Sequence, residues 1–270
     1  MTMIRSLVRA ARAAALAAGV VAAPAARAQI AVMSSTVEEH VASPGSRYTG
    51  DIVIANPTRE PQAVRIYQTD YRFLADGTSN FDDPGSQPRS NASWIVPQAT
   101  RITVPAGTRI TVPYSVTVPA ADSLRGTYWS AVMVEGVSPV PTAADARKLA
   151  LGSVMRYAIQ VATHIDATGQ RNVRFDAPSA GLTPAGSAML DLDVVNTGER
   201  GVRPALSVEV YDAEGHLRAR AKQQRGLLYP GTSLHQRFEL GSLPSGTYKA
   251  VVYADTGAEP VLATQYTISW

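Results

Sequence analysis

The sequence contains no cysteine, and this absence removes several classes of protein at once. Thiol catalysis, cysteine-bearing zinc sites and iron–sulfur clusters are excluded, because each of them needs a thiolate. A chain without disulfides must also obtain its stability from packed cores. With 270 residues, the chain is long enough to bury two cores of ordinary domain size.

An excess of basic charge is also lacking once the first 28 residues are set apart. The whole chain has 25 basic and 22 acidic side chains, but four of the arginines and none of the acids lie within residues 1–28. The remainder therefore carries 21 basic and 22 acidic side chains and is close to neutral. No long-range basic field remains to attract nucleic acid, so we predict no nucleic-acid partner.

Recognisable catalytic constellations are missing as well. The sequence contains no Gly-x-Ser-x-Gly elbow and no phosphate-binding loop. The adjacent acids Asp82-Asp83 lack the spaced oxygen ligands and the glycine of a calcium loop. The histidines are scattered, without the spacing of metal ligands: His40, His164, His216 and His235. We therefore predict a protein that is not an enzyme and has no metal site and no cofactor.

Residues 1–28 have the anatomy of a secretory signal peptide. Three arginines open the segment, an apolar run follows, and a small-x-small cleavage pattern ends it: Arg5, Arg9 and Arg12, then Ala13–Ala23, then Ala26-Arg27-Ala28. The apolar run is shorter than the roughly 20 residues that span a bilayer. We predict a cleaved signal peptide, a mature chain that begins at Gln29, a periplasmic location and no stable membrane insertion after cleavage.

The rest of the sequence is a succession of short strand-like segments. In Arg109–Val118, apolar and polar residues alternate with a period of two, which is typical of a half-buried strand. Similar runs recur, separated by turn sequences: Tyr48–Asn56, Ala63–Phe73, Arg101–Val104, Gly126–Glu135, Val154–Ile165, Met189–Asn196, Leu206–Tyr211, His235–Leu240, Thr247–Tyr253 and Ala263–Ser269. The one helix-like stretch after the signal is Thr142–Ala150. The aromatic residues Tyr71, Trp94, Tyr128 and Trp129 are predicted to lie in a core.

The strand pattern predicts an all-β chain with two immunoglobulin-like β-sandwich domains after the cleaved signal peptide. Proline-rich breaks near residues 136–141 and 177–184 mark the change from one domain to the next. We place the signal peptide at 1–28, the first sandwich at 29–165 and the second at 166–270. Each half has a strand that ends in asparagine, Asn56 or Asn196, which indicates two related modules.

The first half resembles the N-terminal domain of PapD-like periplasmic pilus and fimbrial assembly chaperones. Three segments carry the resemblance: Tyr48–Pro57, Arg101–Gly107, and Val118-Pro119 with Gly126–Val134. The resemblance implies a chaperone-like protein that binds secreted pilin-like or adhesin subunits by β-strand addition, with an outer-membrane usher as a further partner. The cell-wall proteins that accompany WxL surface proteins have a similar spacing of strands.

In the pilus chaperones, the last strand of the first domain donates alternate apolar side chains to a subunit. The resemblance places this strand at Lys148–Ile165, where one alternating face carries Leu149, Leu151, Ser153 and Met155. Alternation alone does not distinguish a donated face from a buried one. An ordinary core strand that links the two domains is therefore an alternative.

The family also uses a pair of basic residues in the interdomain cleft to hold the carboxylate terminus of its client. Arg156 corresponds to the second of this pair, and its alternative is a surface charge paired with a nearby acid. The opening strand, Ile30–His40, should provide the first but contains no arginine or lysine. A rival function is therefore a structural envelope or cell-surface protein that binds glycan, peptidoglycan or a host ligand without chaperone activity.

Overall fold

A computed structural model describes residues 30–137 and 154–270, and nearly all of the regular structure there is β-strand. The first ten strands are β1 (Ala31–Val32), β2 (Val37–Ala42), β3 (Arg47–Ala55), β4 (Gln62–Phe73), β5 (Ser79–Asp82), β6 (Ile95–Pro97), β7 (Arg101–Val104), β8 (Arg109–Thr117), β9 (Gly126–Val137) and β10 (Arg156–Ile165), with a short 3-10 helix at Ala92–Trp94. The others are β11 (Val173–Leu182), β12 (Ala188–Asn196), β13 (Ala205–Tyr211), β14 (Leu217–Gln224), β15 (Ser233–Gly241), β16 (Thr247–Asp255) and β17 (Leu262–Ser269). Within these ranges, no helix has the length and apolar character needed to cross a membrane.

The first ten strands form one sandwich of two sheets. One sheet has the order β1-β3-β8-β6, and the other has the order β2-β10-β9-β4, with β5 and β7 pairing with opposite ends of β4. Alternate side chains of β8, among them Val112, Tyr114 and Val116, are buried between the sheets, as the period-two pattern predicts. They pack against residues of the facing sheet such as Val132 and Ile159.

The remaining strands form a second sandwich with its own core. Its sheets have the orders β11-β12-β15 and β14-β13-β16-β17. Leu190 and Phe238 from one sheet and Val208 and Val252 from the other belong to a buried cluster separate from that of the first sandwich. The prediction of an all-β chain with two sandwiches is therefore confirmed. The predicted signal peptide and the helix-like stretch Thr142–Ala150 lie outside the described residues.

The predicted opening strand, Ile30–His40, is divided between two sheets. β1 pairs antiparallel with β3, and β2 then pairs parallel with β10 in the other sheet. Between them, the hydroxyl of Ser35 donates to the carbonyl of Val37 and accepts from its N–H, at 2.7 and 3.1 Å. Such local serine bonds compete with strand pairing, which explains why one continuous strand was the wrong prediction.

The two sandwiches repeat one structural corner. Asn56 at the end of β3 donates to the carbonyls of Glu60 and Val104, at 2.7 and 3.0 Å. Asn196 at the end of β12 donates to the carbonyls of Arg200 and Leu228, at 2.9 and 2.8 Å. In both cases the side-chain oxygen accepts the N–H of the residue two positions later, at 2.9 Å. The common scheme supports the interpretation of two related modules.

Candidate partner-binding edge and sandwich junction

The N-terminal half of β10 has a strand partner on one side only. All of Arg156–Ile165 pairs antiparallel with β9, whereas β2 joins the other side only from Gln160 onward. On that side, Arg156–Ile159 has no strand partner among the residues that the structure describes. We call this stretch the open edge. It exists because the opening segment crosses to the other sheet, where β1 pairs with β3.

The directions of two main-chain hydrogen bonds show which groups the open edge presents. The N–H of Gln160 donates to the carbonyl of Thr36 on the β2 side, at 2.9 Å, and the carbonyl of Met155 accepts the N–H of Gly136 on the β9 side, at 3.2 Å. Main-chain groups of successive residues in a strand point in alternate directions. The N–H and C=O groups of Arg156 and Ala158 therefore face the open edge, where an added strand can pair with them.

Two exposed apolar side chains precede the open edge. Val154 and Met155 are 46% and 39% exposed. Met155 shares a row with Tyr157, which packs against the first core, and with Ile159, which is buried in it. The predicted alternating face therefore continues the core-facing row of β10. The other predicted members of that face, Leu149, Leu151 and Ser153, lie outside the described residues.

Arg156 forms an ion pair on its own sheet. Its Nε lies 2.9 Å from Oε2 of Glu135, and its side chain is 59% exposed. The same carboxylate oxygen accepts bonds from Arg65 and from the hydroxyl of Tyr67, at 3.2 and 2.8 Å. Burial raises the pKa of Glu135, but the bonds from Tyr67 and Arg65 and the charge of Arg156 lower it below its ordinary value. This arrangement is the surface ion pair that the sequence left open as an alternative.

Arg156 also lies away from the second sandwich. Gln160 is the first residue of β10 with a hydrogen bond to that sandwich, since its Oε1 accepts from the hydroxyl of Tyr229 at 2.9 Å. Arg156 precedes Gln160 by four positions, which is about 13 Å along an extended strand. The expectation that Arg156 marks the cleft end of the strand is therefore corrected, because β10 runs from Arg156 toward the second sandwich.

A polar network joins the sandwiches at the other end of β10. Glu39 of β2 accepts from Nε2 of His164 at 3.2 Å and from Nε of Arg203 in the second sandwich at 3.1 Å. Oγ1 of Thr127 lies 2.7 Å from Nδ1 of His164 and accepts the N–H of Gly201 at 2.8 Å. This pattern assigns the hydroxyl proton of Thr127 to Nδ1 and an N–H to Nε2, facing Glu39.

The network places a carboxylate, not a cation, on the opening segment. The hydrogen bond from His164 lowers the pKa of Glu39 most strongly, burial opposes it, and Arg203 lowers it further, to about 2. Glu39 is therefore ionised at neutral pH and paired with Arg203, and it offers no positive charge to a client carboxylate. The described residues of this network thus differ from the basic pair that the family resemblance implies.

Aromatic side chains complete the junction. The rings of Trp129 on β9 and Tyr229 of the second sandwich stack with centroids 4.8 Å apart and an interplanar angle of 3°. Nε1 of Trp129 donates to the carbonyl of Tyr71 at 2.6 Å, and Tyr71 packs against the same cluster. Trp129 is buried, as predicted, and Tyr71 is half-buried; their cluster lies on the outer face of the first sandwich and not between its sheets. Tyr128 and Trp94 pack with the first core, as predicted.

One group of possible metal ligands lies in the turn between β13 and β14. Asp212, Glu214 and His216 bring their ligand atoms within 4.8 Å of one another. Asp212 accepts the N–H of His216 at 2.8 Å, which is the ordinary hydrogen bonding of such a turn. Exposed carboxylates around a tight turn do not indicate a metal site by themselves.

Comparison with known proteins finds low similarity to solved structures. No protein-family model matches the sequence, and no curated protein matches it. Among solved structures, the class 5 fimbriae chaperone CfaA is 13% identical, with a TM-score of 0.47, over 87% of this chain and 98% of that chain. The CsuC–CsuE chaperone–tip adhesion subunit pre-assembly complex of Acinetobacter baumannii is 11% identical, with a TM-score of 0.43, over 88% of this chain and 98% of that chain. The E. coli chaperone DraB is 12% identical, with a TM-score of 0.41, over 89% of this chain and 98% of that chain.

These neighbours are described as chaperones, one of class 5 fimbriae and one in a complex of Csu pili. Another neighbour is described as a PapD-like domain of human CEP192; it is 9% identical, with a TM-score of 0.34, over 56% of this chain and 97% of that chain. Identities and TM-scores this low assign no shared activity and no shared binding residues. The function proposed for this chain therefore rests on its own geometry.

Proposed function

We propose that this chain is a chaperone-like protein that binds an extended segment of a secreted surface-fibre or adhesin subunit by β-strand addition at the open edge. The observation that carries the proposal is the one-sided pairing of Arg156–Ile159. A sheet edge with free N–H and C=O groups is a template for one more strand. The exposed side chains of Val154 and Met155 lie beside it and offer apolar contact to the added segment.

We propose a periplasmic location and a non-enzymatic role. The signal-like segment at residues 1–28 and the near-neutral charge of the remaining chain support an exported, polypeptide-binding protein. An outer-membrane usher that receives the bound subunit is proposed as a second partner, on the family resemblance alone.

Side chains near the edge give the binding its direction and specificity. Leu149, Leu151 and Ser153 are proposed to extend the row of Met155 and to present it to the client. Arg156 is proposed as a secondary contact, because more than half of its side chain is exposed while Glu135 holds its Nε. A client carboxylate would have to compete with Glu135 for this guanidinium, which limits its contribution to binding.

The proposal is tested by removing one N–H from the open edge. Ala158→Pro deletes a donor that faces the edge and leaves the bonds to β9 in place, whereas Ala158→Ser keeps the donor. Each variant is expressed in the periplasm with a pilin-like subunit of the same organism, and the amount of subunit that copurifies is measured. We expect Ala158→Pro to lower capture about tenfold or more, and Ala158→Ser to behave as wild type.

Two results would count against the proposal. If Ala158→Pro folds as wild type and captures as much subunit, the client does not pair with the open edge. If wild-type protein captures no subunit but sediments with isolated peptidoglycan, the structural envelope function replaces the chaperone function. Arg156→Ala is expected to reduce capture less than Ala158→Pro, because Arg156 already has a partner in Glu135.

A further inference from the structure

The repeated corner allows the two sandwiches to be compared residue by residue. Thr108 and Thr232 follow equivalent turns, and each accepts at its carbonyl the N–H of the corner asparagine, at 2.9 and 3.0 Å. Each threonine hydroxyl also donates to the carbonyl three residues earlier, at 2.9 and 2.8 Å. Strand β8 therefore corresponds to β15. Counting from the threonines, Pro113 corresponds to Arg237.

The comparison identifies one strand position that is filled in the first sandwich and empty in the second. β8 pairs with β3 on one side and with β6 on the other. β15 pairs with β12 on one side, and its other side has no strand partner in the described part of the chain. A groove of about 370 Å³ lies there, between β15 and β14, lined by Ala221, Lys222, Gln236, Phe238 and others. We call it the second-sandwich groove.

The side chain of Gln236 makes only some of the hydrogen bonds that a neighbouring strand would make with β15. The side chain is 3% exposed, and its Nε2 donates to the carbonyl of Arg237 at 2.5 Å. In the first sandwich, the equivalent carbonyl of Pro113 accepts a main-chain N–H, from Gln98 just after β6, at 2.8 Å. Oε1 of Gln236 is buried at the groove without a hydrogen-bond partner in the described structure. A buried acceptor without a donor is costly, and a donor arriving in the groove would remove that cost.

The main chain of β15 also presents free groups to the groove. The carbonyl of Thr232 faces β12, because it accepts the N–H of Asn196. Directions alternate along the strand, so the main-chain groups of Arg237 and Glu239 face the groove, although the carbonyl of Arg237 already accepts Nε2 of Gln236. On the opposite wall, Ala219 and Ala221 of β14 point inward and leave room between the strands.

We propose that the second sandwich binds an extended acidic-and-apolar segment of a partner polypeptide, which adds to β15 opposite Phe238–Leu240. β6 shows the geometry, since Ile95 and Pro97 lie opposite Val116 and Tyr114 of β8. Ile95 and Pro97 point inward and are buried, whereas Val96 between them is exposed. The segment therefore carries apolar side chains at alternate positions. This site is separate from the open edge and does not depend on it.

The charge of β14 favours an acidic partner and disfavours a second copy of this chain docked through β14. The exposed row of β14 carries Arg218, Arg220 and Lys222, and Lys222 has no ion pair among the described residues. On the opposite rim, Arg237 is held by Asp191 through two hydrogen bonds at 2.8 Å and lies beside Glu239, so that rim carries both signs of charge. Two copies joined through β14 would bring these cations together, at an unfavourable electrostatic cost. Acidic side chains on the outward positions of the segment would instead complement the cationic row of β14.

The probe is a fluorescein-labelled peptide, Glu-Ile-Asp-Val-Asp-Gly, and its binding to the mature protein is measured by fluorescence anisotropy. Glu239→Pro removes a groove-facing N–H while keeping the pairing with β12, and Ala221→Leu fills the groove from the other wall. Glu239→Ala is the matched control. We expect Glu239→Pro and Ala221→Leu each to weaken peptide binding by about tenfold or more. Glu239→Ala and Ala158→Pro should leave the affinity within about twofold of wild type.

A peptide with lysine at each acidic position should bind about tenfold more weakly than the acidic peptide, because the β14 rim is cationic. Circular dichroism and thermal unfolding confirm that the variants are folded. If the acidic peptide does not bind, or binds Glu239→Pro and Ala221→Leu as it binds wild type, the site is refuted. If the protein dimerises and Glu239→Pro abolishes the dimer, the groove binds a second copy and the acidic partner is wrong.

Discussion

Two buried asparagines fix the same corner in each sandwich. Asn56 and Asn196 are both 1% exposed, and the side-chain amide of each bonds to main-chain groups of two separate segments. An aspartate or leucine could not donate these bonds, because the bonded carbonyls need an N–H. The strand-ending asparagines that are visible in the sequence are therefore structural residues, and they show that the two halves share one plan.

Replacing either corner asparagine should destabilise the sandwich that contains it. Asn56→Ala and Asn196→Ala each leave buried main-chain carbonyls without a donor, so we expect each to lower the free energy of unfolding by about 2–3 kcal/mol. Urea denaturation monitored by tryptophan fluorescence measures the change. Thr49→Ala on β3, away from the corner, is the control. A loss below about 0.5 kcal/mol for both asparagine variants would contradict this role.

At the scale of elements, β10 has different neighbours along its length. Its C-terminal half lies between β2 and β9, and its N-terminal half has β9 alone. The sequence predicted a strand at Val154–Ile165, and its apolar alternation agrees with the buried row at Ile159 and Val161. The sequence did not predict the crossing of the opening segment between sheets. That crossing depends on the pairing of Ala31–Val32 with distant residues of β3, which local periodicity does not reveal.

Adjacent proline substitutions should distinguish the two sides of β10. The N–H of Tyr157 faces β9, opposite Val134, whereas that of Ala158 faces the open edge. Tyr157→Pro should therefore cost about 1–3 kcal/mol more than Tyr157→Ala, through a lost ladder bond and an unsatisfied carbonyl. Ala158→Pro should change stability by less than about 1 kcal/mol relative to wild type. Equal losses for the two prolines, measured by thermal denaturation, would contradict the one-sided pairing.

At the scale of the whole molecule, the contacts between the two sandwiches are the part of the structure that the sequence pattern does not predict. Period-two alternation shows which side chains share a face, but it does not show whether a face meets its own core or another domain. Trp129 and Tyr71 lie on the outer face and pack with Tyr229, so aromatic character predicted the burial of Trp129 but did not show which core it joins. The contact of Glu39 with His164 and Arg203 joins residues far apart in the chain, and no local motif marks it.

Acidification should weaken the junction through Glu39. Its pKa in the folded protein, about 2, is below its ordinary value of 4.5, so the carboxylate stabilises the folded state. This stabilisation is fully present above about pH 4.5 and is lost as the pH falls toward 2. Because the side chain is partly exposed, we expect a contribution of about 1 kcal/mol. Glu39→Gln should flatten the pH dependence of unfolding in this range, and an unchanged dependence would contradict the assignment.

Hydrogen exchange at single amides of β10 tests strand addition most directly. In the free protein, the amides of Tyr157 and Ile159 should be protected by β9, and those of Arg156 and Ala158 should exchange rapidly at the open edge. When a bound pilin-like subunit is present, NMR-detected exchange of Arg156 and Ala158 should slow by about tenfold or more. If the subunit binds and these two amides keep their rapid exchange, the client does not add a strand to this edge, and the proposed function is wrong.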